Sequence, residues 1–131
     1  MPAVFEFSGR IYQVSERTFE HECMFAQWVK VNSMQEIERV KDDMPTTLYK
    51  MQIDGWRHDC AMGLYQWGTP FVVVAAMQPA GSKYLARLAL NCGPEIVEAI
   101  YKDESAWERL TATMAALNDD PNKNPQQAES R

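Results

Sequence analysis

Apolar residues recur along this chain at two periods, and the change from one to the other marks where strand gives way to helix. Residues 3–14, AVFEFSGRIYQV, alternate about Ser8-Gly9, a pair suited to a two-residue turn because glycine takes a positive φ without strain. That register sets Phe5 opposite Tyr12 and Phe7 opposite Arg10, giving a hairpin with one aromatic-rich face and one mixed face. A two-stranded ribbon is marginal alone in water, so the aromatic face must cover helices of its own chain or a surface of another.

From Ser15 onward the period is helical. Ser15 or Thr18 caps a segment in which Phe19, Cys23, Ala26 and Val29 share a stripe, while Met24, Phe25 and Trp28 cover much of the other side. A helix apolar on nearly all sides implies burial on two faces. Asn32-Ser33 reads as an interruption, with Ser33 and Glu36 forming the capping box of a second helix, MQEIERVKDDM. Ile37, Val40 and Met44 are its narrow stripe and Pro45 its stop.

The stretch from Thr47 to Trp67 carries the largest apolar stripe: Tyr49, Ile53, Trp56, Cys60, Leu64 and Trp67 fall on one helical face. It reads as the element around which the rest is built, ending at Gly68 and Pro70, with Asp54-Gly55 as a turn-prone pair inside it. For residues 70–77 the Thr69-Pro70 pair favours a helix and three successive valines favour a strand. The capping pair, and the lack of a partner strand outside the hairpin, tip the reading to helix.

Pro79-Ala80-Gly81 reads as a turn and Ser82 as the cap of KYLARLALN, with Tyr84, Leu85 and Leu88 inward. Gly93-Pro94 closes that helix and opens one whose stripe is Ile96, Val97 and Ile100. Ser105 and Glu108 make a further capping box before Trp107, Leu110, Met114 and Leu117, spaced 3, 4, 3 as in a packed amphipathic helix. Residues 118–131 have no apolar content to bury and read as a flexible polar tail. The fold class expected is mainly α (α+β): a short N-terminal β-hairpin, then about six short-to-medium helices, in a single globular domain over residues 1–117.

A chain of 131 residues, 46% hydrophobic and 24% charged, is large enough for a real core without staples. Its net charge of −5 argues against broad nucleic-acid binding, which needs a basic excess to neutralise phosphates. Three cysteines form no closed disulfide set, and MPAVFEF has neither the basic nor the apolar region of a signal peptide, so a reducing cytoplasm is expected. The longest apolar run, Phe71 to Met77, falls far short of the roughly 20 residues a membrane helix needs.

Two triplets invite a chemical reading: His21-Glu22-Cys23 and His58-Asp59-Cys60. Two His and two Cys suffice for a tetrahedral zinc site. On a helix, however, residues i and i+2 point about 200° apart, so each triplet offers a single convergent ligand. No metal and no cofactor is expected, with a small metal- or ligand-binding protein as the distant alternative. Nothing in the sequence fixes Cys60 or Cys92 near a base for nucleophilic catalysis, and the dispersed glycines form no phosphate-cradling loop. What remains is binding through apolar surface without chemistry. Phe5, Phe7, Tyr12 and Trp28 are the candidate partner-binding anchors, the alternative being that they seal the hairpin onto the chain's own core.

The opening FEFSGRIYQVSERTFEHE, a short apolar strand, Gly9-Arg10, an aromatic and a valine, then a cap and a helix, resembles the start of small tail assembly chaperones of tailed bacteriophages. The resemblance lies in layout and in about a dozen turn and core positions, and transfers no catalytic or binding residue. It implies a non-enzymatic morphogenesis protein in the host cytoplasm, one that holds tape-measure protein soluble while tail-tube subunits assemble, with homo-oligomers admissible. A structural virion component, such as a head–tail connector or tail-completion protein, fits the same description.

Overall fold

The backbone turns at Ser8 and Gly9 with φ of 54° and 79°, both in the left-handed region that a tight two-residue hairpin turn demands. The turn joins β1 (Ala3–Phe7) to β2 (Arg10–Val14), paired antiparallel in the expected register, Phe5 against Tyr12 and Phe7 against Arg10. The structure, a computed structural model, describes residues 3–118. After the hairpin come α1 (Phe19–Arg39), a 3-10 turn over Lys41–Asp43, and α2 (Thr46–Ala61). The chain continues through α3 (Pro70–Met77), α4 (Pro79–Leu90), α5 (Pro94–Lys102) and α6 (Glu104–Asn118). A mainly α fold with an N-terminal hairpin is thus present, and residues 70–77 are helical. The tail expected from Asn118 lies outside the described residues, save Asn118 itself, which closes α6.

Contacts gather the span expected as one domain into two compact units, the division falling at Thr18 and again inside α4 at Ser82. In the first unit the hairpin's inner face meets α4, α5 and α6. Phe5 and Val14 join Ala86, Ala89, Leu90, Val97, Ile100, Ala106 and Leu110 in one core, with Phe7, Tyr12, Trp107, Met114 and Leu117 packed around it. Burial of this face supplies what the isolated ribbon lacks. Ser15 N–H donates to the Ala89 carbonyl at 2.9 Å, and the Arg109 guanidinium lies 5.2 Å from the centre of the Phe5 ring, tying α4 and α6 to the hairpin. The inward residues of α4 are Ala86, Ala89 and Leu90, rather than Tyr84, Leu85 and Leu88, which are half-buried. The cap of α6 also differs from the Ser105–Glu108 box: Ala106 N–H donates to Asp103 Oδ1 at 3.2 Å.

In the second unit α1 and α2 form a helical hairpin. No break occurs at Asn32-Ser33, where a separate helix was expected; each costs only a few tenths of a kcal/mol against better helix formers, and Phe25, Ala26 and Val29 bury the preceding turns. Asp54-Gly55 is likewise absorbed into α2, between buried Ile53 and half-buried Trp56. That helix stops at Ala61 rather than Trp67 because Gly63, at φ 75°, closes it: Leu64 N–H donates to Asp59 O at 3.0 Å and Gly63 N–H to Cys60 O at 3.1 Å. This is the paired 6→1 and 5→2 pattern of a Schellman end. The stripe of Thr47–Trp67 is consequently split between helix and loop, and α2 buries only Ile53. The centre of the unit lies instead on α1, where Phe25 is fully buried, its ring centre 5.7 Å from that of Trp28 and 5.7 Å from that of Trp67.

Candidate functional site

Thr69 precedes α3 but does not cap it through its side chain; its hydroxyl is shared between the carbonyls of Leu64 at 2.7 Å and Gln66 at 2.8 Å, folding the loop after α2 back on itself. At the other end, α4 begins at Pro79, so the expected turn at 79–81 is the first turn of a helix. Ser82 Oγ donates to the Ala76 carbonyl at 2.8 Å. Gly81 lies so close that a Cβ built there would sit 1.9 Å from Ala75 O. Both ends of α3 are therefore fixed by backbone contacts within the second unit.

Held this way, α3 buries one residue, Val72, and half-buries Ala75 and Ala76. At about 100° per residue its remaining side chains fall on a single continuous arc. Phe71, Val73, Val74 and Met77 on that arc are 46%, 47%, 54% and 79% exposed. Beside it runs a groove of about 590 Å³, walled by Trp28 and Val29 of α1, by Tyr65, and by Phe71, Val74 and Ala75 of α3. The polar side chains of its lining, Asn32, Ser33, Tyr65 and Gln78, are uncharged. No charged side chain occurs between Asp59 and Lys83. That charge-free interval is the signal in the sequence for this surface: an apolar run too bulky for one short helix to bury on one side.

Of the four expected anchors, Phe5 is 3% exposed and belongs to the first unit's core, with Phe7 and Tyr12 half-buried against it. The hairpin's exposed apolar side chains are Val4 and Ile11, on its outer face. Phe5 as an anchor thus gives way to Phe5 as core, because the pleat that pairs it with Tyr12 turns both inward. Trp28 is half-buried and does line the groove.

A second cavity of the same unit, also about 590 Å³, brings Cys23 of α1 and Cys60 of α2 to one lining, with Phe19, Lys30 and Trp67. Each comes from one of the two His-acid-Cys triplets, and neither histidine joins them. Among the described residues no group of three or more His, Cys, Asp or Glu is placed to hold a metal ion. Cys92, in the first unit, has its thiol pushed above the usual range by burial, with Arg87 opposing the shift. A thiol held protonated is a weak nucleophile. No helix among the described residues is long and apolar enough to cross a membrane. No family model, curated protein or solved structure matches this chain.

Proposed function

We propose that the chain is a non-enzymatic protein-binding module, a tail assembly chaperone of a tailed bacteriophage that keeps tape-measure protein in solution in the host cytoplasm. The observation that supports a binding role is the exposed, charge-free arc of α3 beside its groove. Exposed apolar side chains gathered on one rigid face, with no charge among them, suit reversible contact with another apolar chain. The phage assignment comes from the layout of the hairpin and the helix after it.

The test is co-expression with the tape-measure protein encoded in the same genome. The chaperone reading expects that protein to move into the soluble fraction when this chain is present, and Val74→Asp to abolish the effect without loss of helicity. Recovery of this chain in purified particles would make it a virion component instead. Insoluble tape-measure protein in both cases would overturn the reading.

A further inference from the structure

We infer that, when no client is bound, the α3 face is covered by a second copy of this chain, the two α3 helices packed about a two-fold axis. This inference rests on the reading of that face as a protein contact, and names the partner that holds it at rest. Its first support is shape. Around α3, Val73 and Met77 lie on one flank, four residues apart, and form a ridge; Phe71, Val74 and Ala75 lie on the other flank and wall the groove. A surface carrying a ridge and a groove side by side is complementary to itself under two-fold rotation, each ridge entering the other copy's groove.

Charge gives the second support. Each copy carries a net charge of −5, so two copies repel one another on average, and least through a face that carries no charge. The α3 face brings none. A groove whose polar side chains, Asn32, Ser33, Tyr65 and Gln78, are all uncharged suits an uncharged apolar helix, and among the described residues α3 is the one helix of this chain without a charged side chain. Area sets the strength of the contact: at their fractional exposures the four side chains present on the order of 400 Å², below the ~800 Å² per partner of a standard interface, which is the scale of a weak, reversible association. Trp28 and Tyr65 in the groove wall add to it. The dimer hides the apolar arc in water, and a client binds by displacing the second copy.

Sedimentation velocity of the full chain over rising concentration tests this. Wild type should pass from monomer to dimer. Met77→Glu should weaken that association by at least about tenfold, with circular dichroism unchanged and, at concentrations where both chains are monomeric, an unchanged melting midpoint, because Met77 is exposed; Val73→Glu should act likewise. Ile11→Glu, on the exposed hairpin face, should dimerise as wild type. Val74→Lys in the groove should also be monomeric alone, and mixing it with Met77→Glu should restore a dimer, since one ridge carboxylate then meets one groove ammonium. A wild type that stays monomeric at every concentration overturns the inference, as does a Met77→Glu chain that dimerises normally or a mixture that fails to associate. A monomeric wild type that still keeps tape-measure protein soluble leaves the chaperone reading standing. A dimer broken by Met77→Glu, with no effect of wild type on tape-measure solubility, removes the chaperone reading and leaves the dimer.

Discussion

Trp56 donates its indole N–H to the backbone carbonyl of Lys30 at 3.1 Å, linking the middle of α2 to α1 across 26 positions of sequence. A half-buried indole is anchored at its polar end as well as by its rings, and this sets how the two helices of the hairpin register. Trp56→Phe keeps most of the apolar area and removes the donor. Stability should fall by about 1 kcal/mol, the net worth of a neutral hydrogen bond, read as a lower urea midpoint with unchanged slope. An unchanged midpoint would mean that packing alone sets the register.

Leu110 and Val73 are both apolar helix residues, yet they should respond oppositely to truncation. Leu110 is fully buried among Phe5, Ile100 and the rest of the first unit's core. Leu110→Ala should cost about 2–5 kcal/mol. Val73→Ala, on the exposed flank of α3, should stay within about 0.5 kcal/mol under conditions where the chain is monomeric. Thermal melts of the two variants side by side make the comparison.

The Lys83–Glu98 pair gives a pH dependence with a defined sign. Lys83 Nζ donates to Glu98 Oε2 at 2.9 Å and lies 4.1 Å from the centre of the Tyr101 ring. The hydrogen bond from Lys83 holds the Glu98 carboxyl below the ordinary range. A carboxyl whose folded pKa is depressed contributes stability above its unfolded value, about 4.3 for glutamate, and loses it as pH falls through the folded value. Glu98→Gln should therefore melt below wild type at neutral pH and converge with it in acid. A gap that persists at low pH would assign the effect to packing.

How much of this was legible in the sequence depends on how local the cause is. The hairpin register followed from Ser8-Gly9 and alternation, both short-range, and the Gly93-Pro94 junction followed from two residues that admit few conformations. The end of α2 is not legible locally because Gly63 and Gly68 offer equal local warrant for a stop, and the Schellman bonds to Asp59 and Cys60 decide between them. The roles of Phe5 and Trp28 could not be separated either. Both are aromatic, and only the tertiary structure shows that one fills a core while the other walls a groove. The face of α3 is not legible in the pattern because every residue of Pro70–Met77 is apolar, which leaves periodicity nothing to measure.

Gly81→Ala sets two known effects against each other. In an ordinary helix the change gains up to about 1 kcal/mol. Here the new methyl carbon would sit 1.9 Å from Ala75 O and 2.7 Å from Ala75 C, both backbone atoms. Forcing them apart costs about 1–3 kcal/mol or more, so the variant should be destabilised despite its better propensity. A melting temperature above wild type would show that the α3–α4 corner yields freely.

The unbroken run of α1 through Asn32 and Ser33 makes concavity and helix stability rivals. Short side chains at those two positions leave a notch where a leucine would leave a bulge, and the notch is part of what gives the second unit its hollow. Replacing Ser33 with leucine would firm the helix by a few tenths of a kcal/mol while filling the hollow that Ser33 lines. Tuning this chain for thermal resistance alone would therefore fill the hollow, and a melting curve would record that change as an improvement.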